Sequence, residues 1–232
     1  EFEGSQMPFK DFREFIDKLE QEGEAQRIDE EVDWNLEAGA MLRRATEQDF
    51  PAPLFEKIKD YPKGHRLFGG SLANYRRIAI AIDKSADTPQ RELMEEYLQR
   101  KKRTIKPVLV KEAPCKENIF KEDEVDLLGL PVPFLHEGDG GRYLGTFHLT
   151  ISKDLDSDWV NWGMYRSMVH DKNTLSMWAT PGSHLDSMYK QKYEPKGIPM
   201  EVPIVFNPLC PSGDCRPLTW VPRGDSHCLD TL

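Results

Sequence analysis

"NWGMYRSMVHDKN", residues 161–173, has the apolar content of a sheet strand in Trp162, Met164, Tyr165, Met168 and Val169, yet it carries Asn161 and Arg166 among them. Side chains alternate faces along a strand, so residues five apart point opposite ways. For both to reach one ligand the chain must bulge or twist between them, and Gly163 is the natural place. Five residues at ~3.3 Å each separate the two by about 16 Å. That is comparable to the reach of a flavin mononucleotide from phosphate to ring. On pattern alone the commoner explanation is a surface strand with a solvated arginine. A ligand gripped at both ends is the alternative.

On either side the pattern is also that of a sheet. In "GTFHLTISKD" (145–154), Phe147, Leu149 and Ile151 share one face, and Thr146, His148, Thr150 and Ser152 share the other. That is period two, hence a strand. "DSD" (156–158) turns, "HDKN" (170–173) turns again, and "TLSMWA" (174–179) is a third strand. These elements predict a β-rich second domain, a small barrel. "HEGDGGRY" (136–143) lacks the GxGxxG fingerprint and no helix follows, so it predicts a hairpin or bulged strand entry rather than a nucleotide loop.

"TPGSHLDSMYKQK" (180–192) predicts a helix beginning at His184, with Ser183 as N-cap, Asp186 in a capping-box-like place, and Leu185, Met188 and Tyr189 inward. The free N–H groups of a first turn attract anions, phosphate above all. A histidine there can bind a divalent cation that bridges to the phosphate. The structural alternative is a histidine beside an N-cap with no ligand.

The N-terminal half mixes helices with short strands. Phe9, Phe12, Phe15, Ile16 and Leu19 form one stripe of a helix over 8–23, and "EAQRID" (24–29) is a strand. Asn35 is read as the cap of a second helix. "PLFEKI" (53–58) and "RRIAIAI" (76–82) are read as strands. Thr88 as N-cap with Pro89 at N1 opens a third helix, with Leu93, Met94, Tyr97 and Leu98 inward. The division is a first α+β domain over 7–106, a linker over 107–119 and a second domain over 120–232. Residues 1–6 read as a vector scar.

The totals limit function. The 232 residues are 38% hydrophobic and 31% charged, with a net charge of −9, so a generic nucleic-acid surface is disfavoured. The basic run at 100–103 fits a helix C-terminus, where cations meet the carbonyl end of the dipole. No apolar stretch approaches the ~20 residues that cross a bilayer, and no export signal is visible. Four cysteines in a chain of this length are read as reduced thiols of a cytoplasmic protein. Cys210, Cys215, His227 and Cys228 invite a zinc reading, but adjacent residues rarely both reach one tetrahedral ion. There is no G-x-S-x-G elbow.

From about Phe9 to about Val205 the chain resembles the UbiD family of reversible decarboxylases, which use prenylated FMN. The resemblance rests on "DFREFIDKLEQEGEAQRIDEEVDWNLE", "APLFEKI", "LPVP", "DGGRY", "NWGMYRSMVHDKN" and "PGSHL". It implies an α+β domain followed by a split β-barrel resembling flavin reductases. It implies that Asn161 and His184 hold a divalent metal, usually manganese, at the cofactor phosphate. Trp162, Gly163, Met164 and Tyr165 would line the cofactor and, through backbone carbonyls, a monovalent cation such as potassium. Ser183 would touch the cofactor, and Arg166 would lie near the reactive ring and pair with the substrate carboxylate. It also implies an aromatic or α,β-unsaturated acid as substrate, a flavin prenyltransferase as cofactor supplier and a homo-oligomer.

Two departures stand out. The family's third metal ligand is a glutamate in "P-x-G-V-x-E"; here the sequence is "PRGDSH", with His227 in that place. From Phe206 onward the match is poor, as in a divergent or frame-shifted tail. The family's two catalytic glutamates and its interface domain lie further downstream and have no counterpart before Leu232. The expectation is therefore a C-terminally truncated portion, incomplete for turnover, with a non-catalytic fragment of weak or no flavin binding as the competing reading.

Overall fold

The computed structural model describes Phe9 and residues 11–102, 116–145 and 148–205. The four tail residues of the zinc reading, His227 as replacement ligand, most of the expected linker, the first six residues, Thr146 and Phe147 lie outside the described residues. The described residues fall into two compact units. One holds those up to 102 together with 133–139, and the other holds 116–132 and 140–205.

In the first unit, helix α1 (Phe12–Gln21) begins where Asp11 accepts the Glu14 amide at 2.9 Å and buries Phe15, Ile16 and Leu19. Strand β1 (Ala25–Val32), helix α2 (Glu37–Glu47) and strand β2 (Ala52–Ile58) form a β-α-β unit with the strands parallel; β3 (Leu67–Phe68) adds antiparallel to β2. A parallel pair needs such a crossover, which α2 supplies. Val32, Ala38, Phe55 and Ile58 make the core between sheet and helix. Full burial of each large apolar side chain there contributes roughly 1.5–3 kcal/mol.

Three local readings are corrected. "RRIAIAI" is helical: α3 spans Tyr75–Ala81, because the Asn74 side chain accepts the Arg77 amide at 2.9 Å and starts a turn that alanines favour. Asn35 is not the cap of α2. Leu36 stands there with φ 70° and no side-chain cap, while Asn35 bridges to Phe134. Helix α4 (Gln90–Lys101) starts one residue later than read, after Pro89, and buries only Leu93; Met94 and Leu98 are exposed.

A buried ion cluster ties this unit together. Glu24 accepts from Arg76, from Arg77 at 3.1 Å and from Asn74 at 3.2 Å; Arg77, itself buried, also donates to the carbonyls of Gly70 and Phe50.

The second unit is built of two three-stranded antiparallel sheets. In one, β7 (Ser167–Val169) lies between β4 (Arg142–Gly145) and β8 (Leu175–Met177). In the other, β5 (Leu149–Lys153) lies between β6 (Val160–Gly163) and β9 (Ile204–Val205). Leu127, Val132 and Val169 form a core cluster, with Val125, Leu144 and Leu175 against it. The glycine-rich stretch turns at Glu137–Gly138 and enters β4, whose pairing with β7 slips between Tyr143 and Gly145. Helix α5 (His184–Met188) follows β8 and widens into a π-helical turn over Tyr189–Tyr193.

The quoted strand is not one strand. β6 ends at Gly163, β7 begins at Ser167, and the two lie in different sheets. No bulge within one ladder is involved: the chain leaves one sheet at Met164–Arg166 and enters the other.

Candidate functional site

Asn161 lies on β6 directly opposite Ser152 of β5. Both are buried, and the Asn161 Nδ2 donates to Ser152 Oγ at 3.2 Å. The other end of the amide points to α5, where Asn161 Oδ1 lies 2.9 Å from His184 Nδ1. His184 is the first residue of that helix because Ser183 caps it, accepting the Asp186 amide at 3.4 Å. Asp186 reaches back to the Gly182 amide at 2.9 Å, and Lys190 with that amide holds its carboxyl below the usual range. The Trp159 ring stands edge-on to the His184 ring, centroids 4.9 Å apart.

Two donors each ~2.1 Å from one octahedral ion, at right angles, are about 3 Å apart. The Asn161–His184 separation of 2.9 Å, a hydrogen bond in this structure, is close to the spacing that two such donors would have on one ion. An amide oxygen and an imidazole nitrogen also suit a divalent ion of intermediate hardness. Among the described residues no group of three His, Cys, Asp or Glu side chains is placed to hold a metal.

Tyr165 connects the crossover to α5. Its hydroxyl accepts the Leu185 amide at 3.3 Å, and its ring fills the space where a side chain on Gly163 would lie. Met164 is exposed, and Trp162 is half-buried opposite Ile151. Arg166 is exposed, with its guanidinium 5.7 Å from the centroid of the Tyr143 ring, a cation–π contact. Its carbonyl accepts the Trp178 amide at 3.4 Å. Asn161, Ser183 and His184 are thus gathered at one place, Tyr165 is tied to the same helix turn, and Arg166 ends the crossover just before β7, with its guanidinium over the ring of Tyr143.

Several residues around this site were not singled out from sequence. His148, just before β5, and Thr150 and Ser152 within it form a buried polar row. His148 Nε2 lies 3.2 Å from Thr150 Oγ1. Burial holds the imidazole of His148 below its ordinary range, and the Tyr165 carbonyl opposes that shift. Asp154, at the end of β5, is buried and accepts Ser157 at 2.6 Å and Lys192 at 2.7 Å; these contacts hold its carboxyl below the usual range. Tyr193 donates to the Lys153 carbonyl at 2.9 Å. The π-turn is therefore pinned to the β5–β6 hairpin. Tyr189, read as inward, is exposed, because the wider turn rotates it off the Leu185–Met188 face.

Residues 16–97 match the 3-octaprenyl-4-hydroxybenzoate carboxy-lyase N-terminal domain, and residues 106–210 match the Rift-related domain of the same carboxy-lyase. The chain is 36% identical over 185 residues to ferulic acid decarboxylase 1 of Candida dubliniensis, covering 73% of this chain and 36% of that protein. It is 36% identical over 190 residues to pyrrole-2-carboxylic acid decarboxylase of Pseudomonas aeruginosa, covering 78% and 38%. Its fold is similar to the closed form of vanillic acid decarboxylase from Sedimentibacter hydroxybenzoicus, with a TM-score of 0.80, 29% identity, and coverage of 86% and 43%. It is also similar to a UbiD-class enzyme of Pelotomaculum thermopropionicum in complex with prFMN, with a TM-score of 0.75, 27% identity, and coverage of 86% and 44%. The chain spans between 36% and 38% of the length of the two decarboxylases it matches in sequence.

Proposed function

The chain belongs to the UbiD family of carboxy-lyases, and from that premise we propose that it carries the cofactor-phosphate end of a prenylated-FMN-dependent decarboxylase acting on an aromatic or α,β-unsaturated carboxylic acid. The observation that carries the reading is the pair of donors on Asn161 and His184, 2.9 Å apart, delivered from a strand and a helix turn. They would hold a divalent ion, manganese by resemblance, that neutralises a flavin phosphate. The two sheets would form part of a split barrel around that flavin. Carbonyls of Trp162–Tyr165 would take a monovalent cation such as potassium.

When bound, a modified flavin supplies the electron sink that lets a carbon–carbon bond to CO2 break. This chain's own residues do the holding. Arg166 presents a planar fork that pairs bidentately with a carboxylate. The Tyr143 ring lies 5.7 Å beneath the guanidinium and would steady it by a cation–π contact. The Tyr165 clasp fixes the crossover that carries Arg166 against the helix turn that carries His184.

The test is titration of the purified chain with FMN and manganese, followed by quenching of flavin fluorescence. Manganese-dependent binding that falls at least tenfold in both Asn161→Ala and His184→Ala supports the reading. Binding that is absent, or that is indifferent to both substitutions, overturns it. Arg166→Ala should leave FMN binding within about twofold, because the guanidinium serves the substrate.

A further inference from the structure

A side-chain amide is a metal ligand only when its oxygen, not its nitrogen, faces the ion. The two ends differ by a half-turn about one bond, so something must hold the amide in register. In a buried site the holder must accept a hydrogen bond from the nitrogen. Asn161 meets this condition at one residue. Its Nδ2 donates to Ser152 Oγ at 3.2 Å, and Ser152 is the residue opposite it in the β5–β6 ladder. Ser152 is 1% exposed and Asn161 7%, so water does not readily replace either partner. The hairpin register sets the pairing: a slip by one residue would put Ile151 or Lys153 opposite Asn161.

We propose that Ser152 is a positioning residue for the metal site, holding the Asn161 amide so that its oxygen faces His184. The proposal rests on the reading of Asn161 and His184 as metal ligands. Ser152 would act through Asn161 rather than as a ligand itself. It fixes the rotamer of that residue, as the partners of metal ligands commonly do. Its neighbour on the same face, Thr150, is equally buried but is paired with Gly163, which has no side chain to orient, and its hydroxyl lies near His148 instead. Ser152 and Thr150 therefore make a matched pair: both are buried hydroxyls of one strand, and only one is joined to the ligand.

The experiment is a titration of the full chain with manganese alone, followed by loss of the six-line EPR signal of the free ion, with thermal unfolding by circular dichroism on every variant. Wild type should bind, Asn161→Ala should not, and Ser152→Ala should bind about 10- to 100-fold more weakly. Ser152→Thr, which keeps the hydroxyl, should restore affinity to within about threefold. Thr150→Ala should bind as wild type even where its midpoint of unfolding falls as far as that of Ser152→Ala. If wild type fails to bind manganese, or Asn161→Ala binds as well as wild type, the ligand reading falls and the role of Ser152 with it. If both of those controls behave and Ser152→Ala binds as wild type, or Thr150→Ala is weakened as much, the positioning role alone is overturned.

Discussion

The ring of Tyr165 lies over Gly163, two residues earlier, in the space that a side chain there would need, and its hydroxyl accepts the Leu185 amide at 3.3 Å. The pair turns the chain out of one sheet and fastens the turn to the start of α5. Gly163→Ala should therefore displace the ring and cost about 1–3 kcal/mol. In the Gly163→Ala/Tyr165→Ala double variant the losses should be less than additive, because the clash is gone. Urea unfolding of the four proteins checks this; full additivity would separate the two residues.

Trp159 stands edge-on to His184. Such a contact makes its indole a reporter of events on the imidazole. Adding manganese to the chain should reduce tryptophan emission, since a paramagnetic ion held by His184 would lie near this ring. Trp159→Phe should remove most of that change while leaving manganese affinity within about threefold. An undiminished change in Trp159→Phe would place the reporter elsewhere.

Acid should act on the two units in sequence. The imidazole of His148 in the second unit is held below its ordinary value of 6.5 by burial, so the stability it contributes is complete above that value and is lost as pH falls through the lower folded value. Glu24 in the first unit is pushed up by burial, but its hydrogen bonds to Arg76 and Asn74 and the charges of Arg76 and Arg77 outweigh this and hold it below 4.5. Its contribution is present above 4.5 and is lost only as pH falls further. Amide hydrogen exchange between pH 7 and 4 should show β5 loosening before α3 and β1. His148→Gln should suppress the earlier step. Glu24→Ala should cost ~3 kcal/mol at neutral pH, because it strands the buried Arg77.

Asp154 and Lys192 join the β5–β6 hairpin to the π-turn. Lys192→Met leaves the Asp154 carboxylate with Ser157 and no cation, so its pKa should rise toward the ordinary range and the hairpin should lose stability at neutral pH. An NMR titration of the Asp154 carboxyl carbon checks the shift. The side-chain hydrogen bonds of Asp154 go to Ser157 and Lys192 and not to Asn161, so Lys192→Met should leave manganese affinity unchanged.

The sequence carried much of this. Ser183 before His184 announced the start of α5, and the stripe of Phe15, Ile16 and Leu19 announced α1, because caps and periodicity are local signals. "RRIAIAI" is ambiguous because alternating isoleucines look alike in a helix and in a buried strand; the capping side chain of Asn74 decides for the helix. Met94 and Leu98 looked inward by spacing alone, but burial depends on what packs against a helix, which spacing does not contain. The polar row His148–Thr150–Ser152 was visible as a period of two. That its polar face would be covered, and that Ser152 would meet Asn161, depended on a hairpin register that composition does not specify.

Asn161 and Arg166 are near neighbours in the chain but answer to separate sheets, with Met164–Arg166 bridging the gap. That short bridge behaves as a ruler. One residue added or removed within it would shift the arginine at its end or drag the amide off its serine, so this stretch should tolerate exchanges of side chain far better than any change in length.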